Sequence, residues 1–269
     1  MKLTAMFFAL FISLMACSAQ KVESQKNENE KVALTKDQKP KTKDQTKNYV
    51  LVELFTSEGC SSCPPADKVL ARLEAEQPVE DVEIIPLALH VDYWNYLGWR
   101  DEFSSAAYSA RQNGYADKFN LDAIYTPQMV VDGARQFTGS QFETAVNSVK
   151  ETAKIKKAAV EMSVEENNLK IEISDLPNHD AAYIWFVVTE DDLQTDVKRG
   201  ENSGRKLPHT AVVREMKLLD TLAENAKTFS VKHNFALQTG WQKKNLNLIV
   251  FVQGQNSKQI YAVGKKRLV

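Results

Sequence analysis

Beyond residue 15 the chain has no apolar run long enough to cross a bilayer, which takes about 20 residues, and no internal repeat is visible. A basic surplus is missing as well. The 269 residues hold 34 Lys and Arg against 35 Asp and Glu. After residue 47 the balance is 25 basic against 30 acidic, a net −5. A nucleic-acid binder normally shows the opposite sign, so no nucleic-acid partner is expected. Cysteine is scarcest of all: Cys17, Cys60 and Cys63 are the only three. If Cys17 is otherwise engaged, a single pair remains, spaced C-x-x-C.

What the N-terminus does have is an address. Lys2 precedes an apolar run over residues 5–15, the length of a signal-peptide hydrophobic region and too short for a typical span. The run ends in Leu14-Met15-Ala16-Cys17, which resembles the lipobox of bacterial lipoproteins. That resemblance implies loss of residues 1–16 and lipidation of Cys17. The chain would then sit in the bacterial cell envelope, anchored to a membrane and facing the periplasm or the exterior. The alternative is an ordinary signal peptide with an incidental cysteine. Residues 17–47 would be the tether. Between 18 and 47 there are eight Lys, five acidic residues and no aromatic. Such a stretch buries too little apolar surface to offset its ordering entropy and is expected to be disordered. Export would also put Cys60 and Cys63 where disulfides persist.

The periodicity of the remainder changes near residue 158. Residues 49–55 are apolar apart from Glu53 and read as a buried strand. After a turn, Ala66, Val69, Leu70 and Leu73 fall at helical spacing up to about residue 76, and residues 82–91 form a second apolar strand. This is a βαβ unit with parallel strands. An aromatic insert follows at residues 90–99, then a helix over about 105–113 that ends at Gly114. A strand at 128–131 meets Asp132-Gly133, a hairpin signal, so 134–137 should pair with it. Ser140 and Glu143 match a capping box for the next helix. Residues 48–157 thus have the order of a thioredoxin-like α/β domain. From 158 to 269 the period is two, with strand-like runs at 182–189, 209–219, 228–232, 245–253 and 259–264. These predict a separate all-β sandwich domain, with residues 190–206 as a loop.

The Cys60-Ser61-Ser62-Cys63 motif lies between a strand and a helix, where a helix N-terminus lowers a thiol's pKa and favours exchange. A purely structural disulfide is the alternative, but closing so short a ring restricts the unfolded chain by only about 2 kcal/mol. In thioredoxin-like proteins a cis-proline packs beside the C-x-x-C, and Thr126-Pro127 stands where that comparison requires it. Glu53 is a carboxylate inside a buried strand, near where thioredoxins hold an acid for the second thiol's proton. The register is one residue off, and a solvated edge position is the alternative. Cys63 precedes Pro64, which biases it away from helical backbone, so the helix should start late, with Pro64 and Pro65 in its first turn. His90 reads as core packing or as a ligand. Arg205, His209 and Arg214 could face the site or sit on a strand surface.

The run from Val52 through Phe55, Cys60, Cys63 and Asp67 resembles an uncharacterised family of secreted thioredoxin-like bacterial proteins. The likeness continues through His90-Val91-Asp92-Tyr93-Trp94, Leu97-Gly98-Trp99, Thr126 to Gly133, and Gly204 to Thr210. The resemblance implies fold and export rather than a reaction. The leading expectation is a thiol–disulfide oxidoreductase acting on protein thiols or disulfides of the envelope. Cys60 would be the nucleophile and the more exposed thiol, Cys63 the resolving thiol, Pro127 the substrate-positioning residue and Glu53 the proton-transfer group. No cofactor beyond the cysteine pair is needed. The runner-up is a soft-metal protein holding Cu(I) through Cys60, Cys63 and His90. A third reading is a non-catalytic interaction module.

Overall fold

The first strand, β1 (Asn48–Thr56), is buried at seven consecutive positions because both of its faces are covered. A computed structural model describes residues 48–268; the export signal, Cys17 and the tether lie outside the described residues. After β1 come α1 (Pro64–Glu76), β2 (Val82–His90), α2 (Ala106–Phe119), β3 (Gln128–Val131), β4 (Arg135–Thr138) and α3 (Phe142–Thr152). Then follow β5 (Ala159–Glu165), β6 (Asn168–Ser174), β7 (Ala182–Glu190), β8 (Leu193–Asp196) and β9 (Lys206–His209). The chain closes with β10 (Val212–Leu222), β11 (Phe229–Asn234), β12 (Leu246–Gly254) and β13 (Ile260–Arg267).

The βαβ unit is present: β1 runs parallel to β2, with Glu53 opposite Leu87, and antiparallel to β3. Asp132 and Gly133 both adopt positive φ in the β3–β4 turn. The expectation of a thioredoxin-like domain followed by a separate sandwich is not met. The main sheet has eight strands in the order β13-β12-β7-β10-β2-β1-β3-β4, so strands from both supposed domains share one sheet. The link is β10, which pairs parallel with β2 at Val212 and Ala88, while the Ala88 amide donates to the Ala211 carbonyl at 2.8 Å. Without β10, the β2 edge would leave buried backbone groups unpaired, a cost each such group imposes.

Packing explains why the halves do not separate. One face carries a single apolar layer in which Leu51 and Phe55 of β1 meet Tyr108 and Tyr115 of α2 together with Val187, Ile249 and Phe251 from the second half. The other face is divided. At one end α1 and α3 cover Val50, Val52 and Leu54. At the other, a three-stranded sheet of β11-β6-β5 covers Ile184, Phe186, Leu248 and Val250. All the described residues, 48–268, fall in one compact unit.

Local differences are also informative. Helix α2 runs through Gly114 to a left-handed cap at Asn120, tolerating a glycine that costs about 1 kcal/mol mid-helix. The N-cap of α3 is Gln141 and makes no side-chain cap bond, so the Ser140 box is not used. Residues 190–206 are not simply a loop: β8 and β9 pair as a hairpin.

Candidate functional site

Cys60 and Cys63 are joined in a disulfide at the start of α1, their Cα atoms 5.4 Å apart. Cys63 is the helix N-cap, with helical φ and ψ of −76° and −40°. Pro64 and Pro65 occupy the first turn, where missing N–H groups matter little. The prolines thus lie in the first turn as expected, while Cys63 itself takes helical backbone against the pre-proline bias. Both cysteines are fully buried, so exposure does not rank them as expected. Hydroxyl groups do distinguish them. Thr126 Oγ1 donates to Cys60 Sγ at 3.4 Å, and Ser62 Oγ lies 3.3 Å from the same sulfur. The Thr126 hydroxyl itself accepts from Trp94 Nε1 at 2.8 Å. The Thr126–Pro127 bond is cis, and this segment enters β3 beside the motif.

Glu53 is not brought to the cysteines. Strand alternation puts it on the α2 face, away from α1, and there it pairs with Arg111 Nε and accepts from the Tyr115 hydroxyl. A different set of ionisable groups surrounds the motif. Glu58 is buried, and its carboxylate accepts from Trp99 Nε1 at 2.7 Å and meets His209 Nε2 at 3.1 Å. The Glu58 amide donates to Asp101 Oδ2 at 2.9 Å, and the same oxygen bonds His90 Nδ1 at 2.7 Å. The rings of His90, His209 and Phe103 pack edge-on within 5.5 Å of one another. Asp67, one helical turn after Cys63, accepts from Thr56 Oγ1 at 2.8 Å.

Electrostatics within this shell are consistent. Burial alone would push the His90 pKa down, but the charge and hydrogen bond of Asp101, with the nearby Asp67 and Glu58 charges, together hold the imidazole above its ordinary value. Burial would push Asp101 up; the His90 charge and hydrogen bond pull it below the usual carboxylate range instead. Burial raises Asp67, opposed in part by His90 and the Thr56 bond.

The hairpin tip over residues 197–205 closes the site from above. Asn202, fully buried, donates from Nδ2 to the carbonyls of Glu58 at 2.8 Å and Cys60 at 3.0 Å. Arg205 Nη1 donates to Asn202 Oδ1 at 2.9 Å. Glu201 accepts from the Ser61 amide at 3.0 Å. Gly200, at φ +75°, is the position where the tip passes Trp99; a Cβ there would sit 3.1 Å from the Trp99 Cβ.

Of the three basic residues left undecided by sequence, His209 and Arg205 therefore reach the site. Arg214 instead pairs with Glu190 at 3.5 Å and lies over Phe103. Glu58, Asp101 and Asn202 were missed, because a turn glutamate and two loop residues carry no periodic signal of burial. For the Cu(I) reading, His90 Nδ1 is committed to Asp101, and among the described residues no three His, Cys, Asp or Glu side chains are grouped to hold a metal ion.

These features define a mixed-sheet protein whose short-ring disulfide is enclosed by buried acids, imidazoles and a hairpin tip. The chain belongs to the family described as "Protein of unknown function (DUF1223)", whose profile matches residues 51–253. A crystallised Agrobacterium tumefaciens protein, a structural-genomics target, is similar at 26% identity and a TM-score of 0.64. That match covers 82% of this chain and 93% of the other. OgpA from Akkermansia muciniphila aligns at 13% identity and a TM-score of 0.24, over 41% of this chain and 27% of its own, too low to carry an argument. No curated protein matches the chain.

Proposed function

We propose that the protein is an exported, membrane-tethered thiol–disulfide oxidoreductase acting on protein thiols or disulfides of the cell envelope through Cys60 and Cys63. The observation that carries this reading is the shell around the disulfide. A staple closing so short a ring stabilises little, whereas burying Glu58, Asp101 and His90 beside it is costly unless every charge is paired. Perturbed ionisable groups gathered at a reactive bond are the usual mark of chemistry.

In the reduced protein the Cys60 thiolate, steadied by the Thr126 hydroxyl, attacks one sulfur of a substrate disulfide. A mixed disulfide forms and the other substrate sulfur leaves as a thiolate. Cys63 then loses its proton and attacks Cys60 Sγ, releasing the second substrate thiolate and restoring the Cys60–Cys63 bond. Substrate gains two electrons and the protein loses two; the same steps reversed oxidise a dithiol. We assign the Cys63 proton to Asp67 rather than Glu53, because Asp67 follows Cys63 by one helical turn and its pKa is raised. Thr126-Pro127 positions the substrate chain, and the hairpin tip must yield for it to enter.

Trapping in the native compartment tests the roles. Cys63→Ser should accumulate mixed disulfides with partner proteins, because the resolving thiol is gone, and Cys60→Ser should accumulate few. Equal trapping would reverse or abolish the assignment. The anchor has its own test: Cys17→Ala should lose fatty-acid label and leave the membrane fraction, and retention of both would sink the tether.

A further inference from the structure

We propose that the cleft between α1 and β9 binds an acidic, extended segment of a polypeptide, which on the redox reading is the flank of the substrate's cysteine. The cleft has a volume of about 510 Å³, within the range of about 300–1,000 Å³ common for ligand sites. Its walls are apolar: Pro64, Pro65 and Ala71 on the helix side, Leu207 and Pro208 on the strand side. Three of these are prolines, whose fixed φ leaves little conformational freedom to lose, so the walls are preformed.

Charge decides the occupant. The rim carries Lys68, Arg205 and Lys206 against one carboxylate, Asp67. Lys68 has no acidic partner among the described residues. Lys206 has only Asp196 at 3.9 Å, an exposed pair of small worth. Arg205 uses one nitrogen on Asn202 and keeps the rest of its fork. This cationic rim stands on a body whose net charge is −5, so it runs against the molecule's overall sign. A phosphate fits less well than a carboxylate, because α1 begins with two prolines and lacks the amides that a helix N-terminus offers an anion. Glutamates alternating with apolar side chains satisfy both rim and walls. The location adds purpose: Pro64 directly follows Cys63, and Arg205 ends the hairpin tip over Cys60, so an occupant touches both sides of the disulfide's cover.

The test uses the full chain carrying Cys60→Ser and Cys63→Ser, so that no exchange occurs, and fluorescence anisotropy of labelled decapeptides. One alternates Glu and Leu, a second Gln and Leu, a third Lys and Leu. Three weak rim contacts predict a preference for the Glu peptide over the Gln peptide of about tenfold at low salt, shrinking as salt rises. Adding Lys68→Glu and Lys206→Glu should abolish the preference while the far-ultraviolet circular dichroism stays unchanged. Equal affinity for all three peptides, or a Glu preference untouched by the charge reversal, overturns the proposal. So does displacement of the peptide by vesicles of anionic lipid, which would make the rim a membrane contact. Because the cysteines are absent, binding can stand if the redox reading falls, and failure here leaves the trapping experiment intact.

Discussion

Glu53 and Glu58 stand five positions apart in the chain, are equally buried, and meet opposite fates. Glu53 faces Arg111, whose guanidinium also reaches Gln253 at 3.0 Å and Tyr115 at 3.2 Å, and that guanidinium is permanently charged. Glu58 faces His209 and shares a network with Asp101 and His90, whose charges depend on pH. A carboxylate locked by a permanently charged arginine is a structural device. A carboxylate ringed by imidazoles can change its surroundings. The molecule places the first kind on the α2 face and the second beside the disulfide, which is the division expected if only one of them serves chemistry.

Breaking the Arg111 pair should have the largest effect. Arg111→Met leaves the buried Glu53 carboxyl without its partner, at a cost of about 3–5 kcal/mol. The double variant with Glu53→Gln should recover much of that loss, since the buried charge goes with its partner. Urea denaturation followed by tryptophan fluorescence reads both as shifts in midpoint. A single-variant loss below about 1 kcal/mol, the worth of an exposed pair, would erase the contrast between the two glutamates.

The cover over the disulfide comes next in size. Asn202→Ala removes the donor to two buried carbonyls, each left wanting at about 1–3 kcal/mol. The hairpin tip should open more often, and reduction of the native disulfide by dithiothreitol should accelerate by about tenfold or more. An unchanged rate would mean that the tip does not limit access.

The imidazole side is sharpened by pH. His90 holds its proton more tightly folded than unfolded, so its stabilisation is complete below the unfolded histidine value of about 6.5. As pH rises from there through the folded value it is lost, by up to about 1.4 kcal/mol per pH unit. Asp101 is shifted the other way and contributes above its unfolded value, fading as the solution becomes strongly acidic. Stability should therefore decline on the alkaline side of about pH 6.5, and Asp101→Asn should flatten that slope. A slope that survives Asp101→Asn would place its origin elsewhere.

How legible all this was in the sequence depended on range. The helix α1 with its stripe at Ala66, Val69, Leu70 and Leu73, and the β3–β4 hairpin at Asp132-Gly133, are local and came through. The β10–β2 junction did not, because one bridge between Val212 and Ala88 joins residues far apart and leaves no period to read. The strands of the second half were visible, yet alternation cannot say which sheet a strand joins. The site divided in the same way. Cys60, Cys63 and the adjacent Thr126-Pro127 were legible as motifs. Glu53 was misassigned because its burial was right but its face was not: a one-residue register difference moves a side chain across the sheet. Glu58, Asp101 and Asn202 acquire their roles from contacts across 41 to 151 residues of chain, which composition does not encode.

The smallest expected effect is the most specific to the chemistry. Thr126 Oγ1 is held by the Trp94 indole and donates to Cys60 Sγ. Once the disulfide is reduced, that donor favours the thiolate over the thiol at Cys60, while among the described residues no hydroxyl hydrogen-bonds Cys63 Sγ. Thr126→Val keeps the branched shape and removes the bond, so the Cys60 thiol pKa should rise and alkylation by iodoacetamide at neutral pH should slow. A single hydrogen bond of about 1 kcal/mol corresponds to roughly a fivefold change. Measured in the Cys63→Ser background, the alkylation rate against pH isolates Cys60; in the Cys60→Ser background the same substitution should leave Cys63 unmoved. A shift of equal size at both thiols would show that the two sulfurs share one environment, and Cys60 would lose its claim to be the attacking thiol.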